Sequence, residues 1–185
     1  MLDEVFKDFK SAIEMASKSL DRELCKVKTG RAYATMLDSV RVDYYGVPTP
    51  VHQLATVSVP EPRLITVKPW EQGQVKAVEK AIRESDLGLN AQAQGDLVRI
   101  PIPALTEERR KEQVKIAKKQ GEESKIAVRK HLRDAQEAIA EREENGEIAG
   151  VEAEQARKKL EEMEAEALKQ IEAVVAAKEK DISGA

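Results

Sequence analysis

The side chains best placed to do chemistry together in this sequence are cationic. Lys111, Lys115, Lys118, Lys125, Arg129 and Arg133 recur at steps of three, four and seven, a spacing that lines one face of an α-helix. Arg109 and Arg110 stand just ahead of them. A row of fixed cations at helical spacing suits a phosphate backbone, because each ammonium or guanidinium replaces a counterion of the nucleic acid. A solvated face with intrahelical ion pairs would have the same spacing. Net charge is -3, but it is unevenly spread: residues 106–133 hold ten basic and five acidic side chains, residues 134–185 seven and fifteen, and residues 1–105 fourteen of each. The positive charge is thus concentrated where a phosphate-binding face would need it.

Catalytic constellations are missing. There is no Walker A loop, no dinucleotide-binding glycine pattern after a strand and no nucleophile elbow. His52 and His131 are the only histidines, neither at a metal-ligand spacing, and Cys25 is the single cysteine. His52 reads as an ordinary surface residue without a partner. Cys25, beside an apolar stripe, reads as a packed or half-buried thiol. Trp70 is expected to cap a small core, and Tyr44 and Tyr45 to split between the two faces of a strand. No active site, cofactor or metal is expected.

The elements that position the cationic row follow from periodicity. Leu105 to Ala140 has no proline and one glycine, with Thr106 placed to cap a helix and Glu107 and Glu108 in its first turn. Val114, Ala117, Gly121, Ser124, Val128, Ala135 and Ile139 form its packed stripe, roughly a quarter turn from the cations. Residues 2–28 carry Leu2, Val5, Phe6, Phe9, Ile13, Ala16, Leu20, Leu24 and Val27 at steps of three and four, an amphipathic helix ended near Gly30. Residues 151–182 repeat the pattern with Ala153, Ala156, Leu160, Met163, Ala167, Ile171 and Val174, after a turn at Glu144–Gly150.

Between Ser39 and Pro103 the character changes. Val40–Tyr44, Leu54–Val59, Arg63–Val67 and Leu97–Ile100 read as strands, Val75, Val78 and Ile82 as the buried face of a short helix. Gly46, Pro48 and Pro50 mark a turn, and Pro60 and Pro62 separate two strands. All seven prolines lie between residues 48 and 103, which marks a domain boundary on each side. The fold class is α+β: a long three-helix bundle (1–29 plus 105–185) with a small α+β domain (30–104) inserted after its first helix. Two chain crossings, near Gly30 and near Ala104, make a hinge. The composition agrees: a chain 35% charged and 3% aromatic builds long helices. No apolar run approaches the ~20 residues of a membrane span. The acidic start Met1-Leu2-Asp3-Glu4 is unlike a signal or transit peptide, and one cysteine agrees with a reduced, cytoplasmic setting.

Several stretches together resemble the bacterial ribosome recycling factor family: Lys26–Ala32, Asp43–Pro50, Val78–Ile82, Ser85–Asn90 and Leu105–Lys111. The resemblance spans essentially the whole chain with motif order kept. It implies an L-shaped, transfer-RNA-like protein with a β/α/β insert. It implies a monomer, not an enzyme, that binds the large ribosomal subunit through its RNA. With the GTPase elongation factor G, such a protein splits the post-termination ribosome. Arg109, Arg110, Arg129 and Arg133 match the family's basic surface, and Thr29, Gly30, Arg31, Ala104, Leu105 and Thr106 its hinge. One position departs: Leu132 stands where the family usually has an arginine, and restoring it (Leu132→Arg) is expected to strengthen binding and keep the fold. Against this stand a helical scaffold for protein partners and a nucleic-acid chaperone using the same basic face.

Overall fold

A computed structural model describes residues 2–184. It contains two compact units, residues 1–29 with 108–185 and residues 30–107. The second crossing falls between Glu107 and Glu108, where the sequence puts it between 104 and 105.

The first unit consists of three helices: α1 (Leu2–Cys25) and, numbering in chain order, α3 (Glu107–Glu144) and α4 (Gly150–Ser183). At about 1.5 Å per residue, the 38 residues of α3 reach about 57 Å. Such helices are stable only because they share their apolar stripes. Val5 and Phe9 of α1 pack with Leu132, Ala135 and Ile139 of α3 and Ala153, Ala156 and Leu160 of α4. Further along, Leu20 and Leu24 meet Ala117 and Val128, and Ala167 and Ile171. The α3 stripe mixes small residues with Val128, Leu132 and Ile139, and Gly121 shows where a small one is needed: a Cβ there would lie 2.6 Å from Val175 Cγ2 of α4. Helix α1 ends earlier than its periodicity suggests. Val27 stays buried beyond it, and the Lys28 amide donates to Gln113 Oε1 of α3 at 3.0 Å. Cys25, expected to be packed or half-buried, is exposed.

The inserted unit holds a hairpin of β1 (Arg41–Tyr44) and β2 (Val47–Pro50), and a four-stranded antiparallel sheet. The sheet's strands are β3 (Ala55–Glu61), β4 (Leu64–Pro69), β5 (Gln92–Gln94) and β6 (Leu97–Pro101), in spatial order β3-β4-β6-β5. Helix α2 (Val75–Arg83) contributes Val75, Val78 and Ile82 to one core with Val42, Ile65, Val67, Val98 and Ile100. Two proline-based expectations fail for one reason. Val47–Pro50 is a strand rather than a turn, and β3 runs through Pro60, with a register shift between Ser58 and Glu61. Both are edge strands, where a missing N–H costs no ladder bond. His52 is exposed and has a partner, with Nε2 2.5 Å from Asp38 Oδ1.

Candidate nucleic-acid interface and hinge

Helix α3 separates its duties by angle. At about 100° per residue, its buried residues Ala117, Gly121, Val128, Leu132 and Ile139 fall within one narrow sector. Lys111 and Arg129 lie about a quarter turn away, and Lys115 and Arg133 somewhat further round. All four are exposed and none pairs with a described acidic residue. Arg109 and Arg110 continue the exposed cations into the first turns of α3. Lys119 and Lys130, which the sequence reading did not single out, extend the face on its far side and are exposed too. Their signal was present in the sequence, in the local basic excess and in the spacing: Lys119 lies four residues after Lys115 and Lys130 three before Arg133.

Two predicted members of the row are held differently. Lys118 and Lys125 occupy the shoulder nearest the core and therefore meet α4. Lys118 Nζ lies 3.9 Å from Glu179. Lys125 Nζ lies 3.2 Å from Glu172 and 3.4 Å from Glu122, with its side chain only 16% exposed. The hydrogen bond to Glu172 is the main reason its pKa stands above the ordinary lysine value. These two lysines join helices and are less available to phosphate than their neighbours.

Leu132 is settled by burial. It is 8% exposed and packs in the cluster that contains Phe9, Ile139 and Leu160. This burial argues against the expectation that an arginine here would leave the fold intact: a guanidinium would enter an apolar contact set, which is costly without a partner. Ser124, on the same stripe, is also buried, and its Oγ has no hydrogen-bond partner among the described residues.

At the two crossings, Gly30 has φ +74, and a Cβ on it would touch Leu105 Cγ and N at 3.4 Å each. Glycine is the residue that takes this left-handed conformation without strain. Thr29 is buried, Arg31 and Leu105 are half-buried, and Ala104 and Thr106 are exposed. The segment 29–31 lies between a bundle-side tie, Lys28 N–H to Gln113, and an insert-side tie, Ala32 N–H to the Pro62 carbonyl at 2.8 Å. The second crossing leaves the insert after Ile102 N–H bonds the Arg63 carbonyl at 2.8 Å.

A family model described as Ribosome recycling factor matches residues 20–182. The chain belongs to the ribosome recycling factor family. It is 61% identical to the ribosome-recycling factor of Sorangium cellulosum (strain So ce56) over 182 residues, 98% of each chain. It is 53% identical to that of Anaeromyxobacter sp. (strain K) over 180 residues, 97% of this chain and 96% of the other. A solution structure of the ribosome recycling factor superposes with a TM-score of 0.85 at 36% identity, covering 100% and 98% of the two chains. A second match has a TM-score of 0.69 at 35% identity, covering 98% of each chain. It is the Thermus thermophilus ribosome recycling factor, described together with Escherichia coli elongation factor G bound to the post-termination complex.

The aromatic residues depart furthest from expectation. Trp70 does not cap the core; it is 66% exposed and its indole N–H donates to Thr56 Oγ1 at 3.0 Å. Tyr44 and Tyr45 do not split across a strand. Tyr45 lies in the hairpin turn with φ +49, beside Gly46 at +85, so both central residues have the positive φ of a type I′ turn. The two rings meet edge to face at 4.7 Å. Both hydroxyls approach Glu71, Tyr44 at 2.7 Å and Tyr45 at 3.5 Å. That bond to Glu71 is the main cause holding the Tyr44 phenol above its usual pKa, so it stays a donor.

Proposed function

We propose that this chain binds the post-termination ribosome and, with elongation factor G, splits it into subunits. The bundle (1–29 plus 105–185) binds large-subunit RNA, and the insert (30–104) moves on the hinge. The observation that carries the binding half is the outward row Lys111, Lys115, Arg129 and Arg133, with Arg109 and Arg110 near the start of α3. Lys118 and Lys125 add to the local potential while paired to α4. Phosphate contacts of this kind make affinity fall steeply as salt rises. The partner is supported by the similar structure described with elongation factor G. The protein acts in the cytoplasm as a monomer without a cofactor, and the GTPase supplies the hydrolysis; among the described residues no helix is long and apolar enough to cross a membrane.

The hinge residues are Thr29, Gly30, Arg31, Ala104, Leu105 and Thr106. Gly30→Pro forces φ from +74 to about -65°, which stiffens and redirects the first crossing. Light scattering of post-termination ribosomes with elongation factor G and GTP tests the assignment. Wild type should dissociate the complex, and Gly30→Pro should bind with little loss and split about tenfold more slowly. Absence of splitting by folded wild type would sink the functional assignment; normal splitting by Gly30→Pro would remove the hinge from it.

A further inference from the structure

We infer that the inserted domain carries a second recognition site, a pocket for an arginine side chain presented by a protein partner, lined by Tyr44, Trp70 and Glu71 and braced by Tyr45. It stands apart from the RNA-binding assignment of α3 and has the opposite sign.

The chain has six aromatic residues, two Phe, three Tyr and one Trp. Three of them gather here, outside the core of their own domain. Tyr44 and Trp70 border a cavity of about 280 Å³, whose lining also includes Thr49, Leu54, Glu71 and Gln74; Tyr45 stands behind it, against the Tyr44 ring. That is below the range of pockets for drug-sized ligands, so it suits one side chain. Glu71 is the only ionised group in the lining, which selects a cation and rejects phosphate. Each carboxylate oxygen accepts one tyrosine hydroxyl and keeps further acceptor capacity. The hydroxyls thus orient the carboxylate without consuming it.

Arginine fits better than lysine. Its planar fork matches a carboxylate and can stack on an aromatic face at the same time. The site is also held ready. Trp70 is fixed through Thr56, and Tyr44 and Tyr45 brace each other, so little ordering cost remains for binding. Tyr45 strengthens the case by its backbone. A type I′ turn prefers Asn or Gly at that position, and a tyrosine held at φ +49 is a backbone outlier of the kind found at ligand clamps.

Trp70 is the only tryptophan, so its emission reports the pocket in the full chain. The probe is a capped Gly-Arg-Gly peptide, compared with its neutral citrulline counterpart. The arginine peptide should give a saturable change in Trp70 emission. Affinity should drop about fivefold or more with citrulline, and by a similar factor in Glu71→Gln, whose folding is checked by circular dichroism. No saturable response in folded wild type, an equal response to citrulline, or unchanged affinity in folded Glu71→Gln overturns the site. Should Glu71→Gln not fold, the arginine–citrulline comparison on wild type decides alone.

Discussion

The bundle and the insert place their candidate recognition groups in opposite ways. In the bundle one helix does both jobs. The buried stripe of α3 packs against α1 and α4, and its cations face outward from about a quarter turn away onward. In the insert the core is closed by β-branched and aliphatic residues, Val42, Ile65, Val67, Val78, Ile82 and Ile100, and the aromatics are left outside. Those aromatics come from the end of β1, the turn after it and the segment after β4. A helix can carry its binding surface on its own periodicity; a hairpin and a sheet must assemble theirs from separate pieces of chain.

The largest break in this contrast is expected at Leu132. Leu132→Ala removes a buried side chain from the bundle and should cost about 2–5 kcal/mol, read by chemical denaturation. Leu132→Arg should also destabilise the bundle, and any gain in ribosome affinity would have to appear on top of that loss. A folded, fully stable Leu132→Arg would show that the arginine reaches the cationic face after all.

Gly121→Ala comes next. In an exposed helix the exchange would add about 1 kcal/mol of stability. Here the new methyl meets Val175 at 2.6 Å, and overpacking costs about 1–3 kcal/mol. Clash should win, giving a lower melting temperature. A higher one would mean that α4 can yield.

The angular division of α3 is tested by charge reversal. Arg129→Glu should weaken large-subunit binding by about tenfold at low salt and flatten the salt dependence. Lys125→Glu should weaken binding less and destabilise the bundle more, since Lys125 is committed to Glu172 and Glu122. Equal losses of binding for both variants would indicate diffuse attraction instead of a face.

The smallest effect belongs to the insert. Tyr45→Asn places a residue suited to the left-handed turn and should raise stability by about 0.5–1 kcal/mol, the strain of a side chain at this φ being partly offset by the lost contact with Tyr44. The same variant should lose response to the arginine peptide. A drop in stability would make Tyr45 a structural residue and leave its outward position without a recognition role.

The sequence by itself determined the three helices, four of the strands, the short α2 and most of the exposed cations of α3. All of these rest on local periodicity, and a helix stripe is complete within one segment. It misplaced Pro48, Pro50 and Pro60, because whether a proline is tolerated depends on whether its strand has a neighbour on that side. The resemblance marked Leu132 only as standing where the family usually has an arginine; packing against Phe9 and Leu160 assigns it to the core. Lys118 and Lys125 looked equivalent to Lys111 until α4 brought Glu179 and Glu172 beside them. Glu71 was one acidic residue among many until the hairpin turned Tyr44 and Tyr45 onto it. Tertiary structure decided these cases for one physical reason: burial, ion pairing and pocket formation depend on groups far apart in the chain.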